Sequence, residues 1–166
     1  MKILGIESSC DETAIALVNE QNGIFSVEQN LISSQIDIHA KYGGVIPEVA
    51  AREHINAIFS LLLESGISKD GEEIDVIAVT SGPGLVPALR IGVELAKTLS
   101  WSWKKPLVGV NHLEGHVYSV WLDVVQPQFP ALCLLVSGGH TELILISDHG
   151  KYEIILEYNK YNTAIN

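Results

Sequence analysis

His112 and His116 are the side chains of this sequence whose type and spacing most directly suggest chemistry. Four residues apart, they fall on one face of a helix, because a turn takes about 3.6 residues. One cation could take both rings as ligands, and neutral imidazole suits zinc, iron, copper and nickel. The stretch Val110-Asn111-His112-Leu113-Glu114-Gly115-His116 follows the apolar run Leu107 to Val110, which reads as a buried strand. In open α/β sheets, ligands bind beyond the carboxyl ends of strands. A His pair on a helix is by itself most often a coincidence of surface or core. The preceding strand and the neighbouring motifs favour a metal site here.

Two turns could hold a nucleotide. Ser8-Ser9-Cys10-Asp11-Glu12 brings two hydroxyls and backbone amides toward one point, which suits a phosphate or adenylate; an ordinary solvated hairpin fits these residues equally well. Ser137-Gly138-Gly139-His140-Thr141 has paired glycines that allow close backbone approach to a phosphate, although Gly-Gly is also a common turn dipeptide. His140 could be a third metal neighbour, a phosphate donor or a turn residue, and the phosphate side is favoured.

The elements that must position these residues follow from apolar pattern and punctuation. Lys2 to Glu7, Thr13 to Val18 and Ile24 to Ile32 read as three strands joined by tight turns, the second at Asn22-Gly23. His39 to Ile46 reads as a functional loop with Gly43 and Gly44. Pro47 opens a helix with Ala51, Ile55, Ile58, Phe59 and Leu62 on one face, and Gly66 stops it. His54 in that helix lacks a second ligand at helical spacing and reads as packed or surface histidine. Asp75 to Thr80 is a strand, Ser81-Gly82-Pro83-Gly84-Leu85 a turn of close approach, and Pro87 begins a helix carrying Leu89, Val93, Ala96 and Leu99. Trp101 and Trp103 at its end read as core or partner-facing. Pro130 to Val136 and Glu142 to Ser147 form a further hairpin. Strands joined by hairpins thus give way to parallel crossovers, an α/β fold with a mixed sheet.

Composition bounds the function. With 166 residues, 47% of them apolar, and a mean hydropathy of +0.25, the chain is folded and long enough for one domain. Twenty acidic against ten basic residues give a net charge of −10, which argues against a broad nucleic-acid-binding surface in this chain. Cys10 and Cys133 suggest reduced thiols, not a disulfide framework. No signal-peptide pattern and no membrane-spanning run is present, so a soluble, cytoplasmic protein is expected.

Five stretches in order carry a family resemblance: Gly5-Ile6-Glu7-Ser8-Ser9-Cys10-Asp11-Glu12-Thr13, Tyr42-Gly43-Gly44-Val45-Ile46-Pro47-Glu48, Ser81-Gly82-Pro83-Gly84-Leu85, His112-Leu113-Glu114-Gly115-His116 and Val136-Ser137-Gly138-Gly139-His140-Thr141. They resemble the TsaD/Kae1 (Gcp) family of tRNA N6-adenosine threonylcarbamoyltransferases, over residues 5 to about 157. The resemblance implies an N-terminal lobe of actin/Hsp70/sugar-kinase (ASKHA) type. It implies transfer of threonylcarbamoyl from threonylcarbamoyl-AMP to N6 of adenosine 37 in tRNA. By the same resemblance His112 and His116 are metal ligands, with iron favoured and zinc possible. Ser9 and the run Leu135, Val136, Ser137, Gly138, Gly139 and His140 would line the site for threonylcarbamoyl-AMP or ATP. The implied partners are tRNA through the full assembly, a same-fold paralogue and a P-loop ATPase; no membrane is implied. The chemistry suits these residues, with a metal as Lewis acid and template and glycine-turn amides on the leaving group.

A metalloprotease, an older reading of the same family, fits less well. In His-Glu-x-x-His the glutamate beside the first histidine serves as base, whereas Glu114 lies about 200° round the helix from His112. The family runs to roughly twice this length, and an Asp-Asp stretch would be expected after Glu157. Residues 158–166 instead form a polar, Asn-containing tail, so the third metal ligand and the second half of the nucleotide pocket are not in this sequence. The expectation is a truncated or frameshifted N-terminal lobe over residues 1–157, complete only with a second lobe or partner. The alternative is a non-catalytic interaction module of the same complex.

Overall fold

The computed structural model describes residues 1–122, 128–136 and 140–159, except for the side chains of His140, Tyr158 and Asn159. The chain divides into two compact units, Met1–Gly115 and His116–Asn166.

In the first unit, alternation builds the sheet. β1 (Lys2–Glu7) turns Leu4 and Ile6 inward, and β2 (Glu12–Gln21) turns Thr13, Ile15 and Leu17 inward. The two run antiparallel, with Leu4 opposite Leu17 and Ile6 opposite Ile15. Asn22 and Gly23 take φ of 56° and 79°. That left-handed pair matches the twist of a two-residue hairpin, and β3 (Ile24–Ser34) returns along β2. All three expected strands and both tight turns are present.

The segment read as a loop begins inside a helix. α1 (Ile36–Ala40) contains His39, which is buried with its Nε2 3.0 Å from Gln35 Oε1. Tyr42, Gly43 and Gly44 amides donate back to the His39 and Ala40 carbonyls, so the paired glycines wind onto the end of α1. α2 (Pro47–Glu64) starts at Pro47 as expected, and Gly66 follows its end at φ +69°. Its buried face, however, is Ala50, His54, Ile58 and Leu61. Ile55 and Phe59 are 49% and 56% exposed. A stripe drawn through apolar residues alone missed that a histidine occupies the inner face.

β4 (Val76–Gly82) lies parallel to β1, and β5 (Leu107–Asn111) parallel to β4. The sheet order is β3-β2-β1-β4-β5. α2 packs on β2 and on α3 (Val86–Trp103), which packs on β4 and β1. α3 buries Ala88, Gly92, Leu95 and Ala96, while Val93 and Leu99 of the expected face pack at the margin of the core. Small residues bring this helix close to the sheet. Trp103 packs against the core and its indole N–H donates to the Lys69 carbonyl at 2.8 Å, whereas Trp101 is 84% exposed. The Leu107 to Val110 strand is not buried: Leu107 and Val108 are 37% and 47% exposed, and among the described residues β5 is the edge strand of the sheet. Leu4, Ile6, Ile15, Ile58, Ile74, Ile77 and Leu95 are central to the core. α4 (His112–Ser119) begins directly after β5.

In the second unit, β6 (Ala131–Val136), β7 (His140–Asp148) and β8 (Lys151–Asn159) form an antiparallel meander in that order. β6 and β7 answer the expected hairpin. β8 was not foreseen, since Ile154-Ile155-Leu156 breaks alternation and the residues from Tyr158 read as tail. Pairing with β7 makes it a strand. Tyr118 stacks on His149, and Trp121 and Phe129 meet this pair edge-on. Among the described residues no helix is long and apolar enough to cross a membrane.

Candidate functional site

Three parallel strands end side by side, and their last polar residues gather there. Glu7 closes β1, Thr80 stands near the end of β4, and Asn111 closes β5. The Thr80 hydroxyl donates to Glu7 Oε2 and the Ser9 amide donates to Glu7 Oε1. His112, the first residue of α4, brings Nδ1 to 3.1 Å from Ser9 Oγ and 3.5 Å from Glu7 Oε2. Burial would raise the Glu7 pKa, yet hydrogen bonds with His112, Ser9 and Thr80 outweigh it and hold the carboxyl at about 2. The site therefore presents a fixed carboxylate against one nitrogen of an imidazole.

α4 owes its start to Asn111. Its side-chain oxygen accepts from the Leu113 and Glu114 amides at 2.9 and 3.3 Å, an N-cap for the helix that carries both histidines. Glu114 is exposed in the first turn. His112 and His116 occupy positions four apart in α4, so imidazole is the donor chemistry the helix offers, and it fits a divalent cation. Among the described residues no set of three His, Cys, Asp or Glu side chains gathers to hold a metal.

The Ser8-Ser9 turn is not a solvated hairpin, because both serines are buried. Nor do its hydroxyls share one target. Ser8 donates to the Ala88 carbonyl at 2.9 Å and accepts from the Gly92 amide at 3.0 Å, the two groups an α-helix bonds to each other. A side chain at Gly92 would stand 2.6 Å from that hydroxyl. Only the Ser9 hydroxyl faces His112. The Gly-Pro-Gly turn makes its close approach here: a Cβ on Gly84 would lie 2.6 Å from the Ser9 carbonyl oxygen, and the Leu85 amide donates to that oxygen at 2.8 Å.

Beside the turn, His54 is fully buried. Its Nε2 donates to the Cys10 carbonyl at 3.1 Å, which leaves Nδ1 to accept from the Thr13 hydroxyl at 2.7 Å. Burial lowers its pKa, so it packs as a neutral ring, as its isolation in the sequence suggested. Burial and the Asp11 charge push the Cys10 thiol up to about 11, which leaves no reactive thiolate.

Of the residues expected to line the nucleotide site, Ser9 is the one the structure brings to His112. Leu135 points into the second unit and Val136 is exposed at the end of β6. Ser137, Gly138 and Gly139 lie outside the described residues, and of His140 only the backbone, opening β7, is described. Sequence reasoning missed Glu7, Thr80 and Asn111. A carboxylate closing an apolar strand was a signal for the first. Asn111 three residues before Glu114 had the form of a helix start. Nothing in the sequence marked Thr80.

A family model described as TsaD: tRNA N6-adenosine threonylcarbamoyltransferase matches residues 26–162. Curated relatives named tRNA N6-adenosine threonylcarbamoyltransferase are similar along the chain. One from Thermomicrobium roseum is 50% identical over 165 residues, covering 93% of this chain and 44% of the relative. One from Clostridium perfringens is 53% identical over 159 residues, covering 93% and 45%. The chain thus spans about half the length of the curated relatives it matches. Among solved structures, YeaZ from Pseudomonas aeruginosa aligns with a TM-score of 0.52 at 17% identity, over 95% of this chain and 66% of that one. A Ppx/GppA family member from Aquifex aeolicus aligns at 0.51 and 12%, over 96% and 51%. At such identities these likenesses concern the fold, the actin/Hsp70/sugar-kinase type with its mixed sheet.

Proposed function

The chain belongs to the TsaD family of tRNA N6-adenosine threonylcarbamoyltransferases, and from that membership we propose that it serves threonylcarbamoyladenosine biosynthesis in tRNA. The reaction is transfer of threonylcarbamoyl from threonylcarbamoyl-AMP to N6 of adenosine 37. Residues 1–157 act as the family's N-terminal lobe in a cytoplasmic assembly. The observation that carries this reading is the Glu7, Ser9, Thr80 and His112 cluster at the carboxyl ends of β1 and β4, where an α/β sheet binds ligands.

In this reading His112 and His116 hold a divalent metal, iron or zinc. When bound, the metal supplies Lewis-acid polarisation of the carbamoyl carbonyl. Ser9, beside His112, holds the adenylate, or ATP in its place. No nucleophile from the chain is needed, in keeping with a Cys10 thiol that stays protonated. The partners in this reading are a same-fold paralogue and a P-loop ATPase, and the acidity of the chain supports tRNA contacts on them and not on this lobe.

A second reading, a non-catalytic interaction module of that complex, is favoured by one surface. Between α2 and α3 lies an apolar groove of about 530 Å³, lined by Ile55, Phe59, Pro87, Arg90 and Ile91. Such a face suits packing against the helices of the paralogue.

Metal content of the anaerobically purified chain, beside a His112→Ala/His116→Ala variant, tests the first reading. Near-stoichiometric iron or zinc that disappears in the variant is expected. Any threonylcarbamoyl transfer to tRNA, assayed with accessory proteins present, should depend on the same two histidines. No metal and no transfer in either protein would overturn the enzyme reading in favour of the interaction module.

A further inference from the structure

We propose that Glu7 is a positioning residue for His112: it holds the ring in the tautomer protonated on Nδ1, so that Nε2 carries the lone pair offered to a divalent cation. This rests on the reading of His112 as a metal ligand.

The carboxylate is fixed before it meets the ring. Its Oε1 accepts from the Ser9 amide and its Oε2 from the Thr80 hydroxyl, so backbone and β4 together set the plane of the group. Glu7 itself ends β1, a strand hydrogen-bonded on both sides by β2 and β4. His112 Nδ1 is 3.5 Å from Oε2 and 3.1 Å from Ser9 Oγ. A carboxylate only accepts, so an Nδ1 lone pair facing it would be repelled, whereas an Nδ1–H is attracted. The Ser9 hydroxyl oxygen can share that hydrogen. A neutral ring with its proton on Nδ1 has its lone pair on Nε2. Ligating histidines generally donate their other ring N–H to a carboxylate or carbonyl, which sets orientation and raises basicity. The short turn after β1 and the start of α4 bring these residues together from opposite ends of the unit's sequence.

The test uses the full chain, uniformly labelled with 15N, without metal and at a pH where the ring is neutral. Long-range proton–nitrogen correlation reports the His112 tautomer. The expected result is Nδ1–H in the native chain and a shift toward Nε2–H in Glu7→Gln, whose amide can donate to Nδ1. Cobalt(II) titration should show affinity weakened by about 10–100-fold in Glu7→Gln, with a smaller loss in the same direction in Thr80→Val. If far-UV circular dichroism shows Glu7→Gln unfolded, Thr80→Val carries the comparison. Nε2–H in the native chain, or equal cobalt affinity in native and variant proteins, overturns the inference. Failure of the native chain to bind cobalt overturns instead the metal reading on which the inference rests.

Discussion

Gly84 and His54 show how closely the turn after β1 is fitted. Gly84 leaves no room for a methyl group against the Ser9 carbonyl, which is backbone and cannot rotate away. Gly84→Ala should therefore lower stability by about 1–3 kcal/mol, the usual cost of overpacking, read as a shift of the urea midpoint at unchanged slope. An unchanged midpoint would mean the turn yields freely. His54 makes a second prediction. Burial lowers its folded pKa, so the unfolded chain binds a proton that the folded chain refuses. Stability from this group is present above the unfolded value of about 6.5 and is lost as pH falls from there through the folded pKa. Urea unfolding across this range should show that acid slope, and His54→Gln should flatten it. An identical slope in the variant would assign it to other groups.

At the level of elements, α4 is short, and a helix of eight residues depends on its ends. Asn111 satisfies two amides of its first turn. Asn111→Ala should cost about 1 kcal/mol and speed hydrogen exchange at Leu113 and Glu114 more than at amides of β1. Uniform acceleration would instead indicate a general loss of stability. α2 teaches a different lesson. Its limits were readable from Pro47 and Gly66, because fixed φ and left-handed freedom are properties of single residues. Which face it buries was not, because His54 enters the core through Thr13 of β2 and Cys10 of the turn before it. β5 repeats the point: the short run Leu107 to Val110 suits a buried strand, and only the strand order puts it at an edge.

For the molecule as a whole, charge and surface divide the work. A chain of net charge −10 repels the phosphate backbone. Gel-shift titration of tRNA with the chain alone, at about 0.15 M salt where screening is moderate, should show no retention, and retention should appear with the partner proteins. Tight tRNA binding by the chain alone would contradict the assignment of that contact to partners. The proposed pairing through the groove between α2 and α3 predicts that Phe59→Glu abolishes co-elution with the same-fold paralogue while leaving the melting temperature within a few degrees, since Phe59 is exposed. Co-elution at native strength would exclude this face.

The sequence by itself determined the order and type of most elements, the hairpin at Asn22-Gly23, the helix starts at Pro47 and near Pro87, and the family. These depend on local backbone preference, on apolar period, and on motifs that are contiguous in the chain. Tertiary structure alone decided that Ser8 serves α3, that Ser9 turns to His112, and that Glu7 and Thr80 complete the cluster. It also decided that β8 is a strand. Side chains on separate strands become neighbours only when the sheet sets their order and register, and neither is encoded in local pattern.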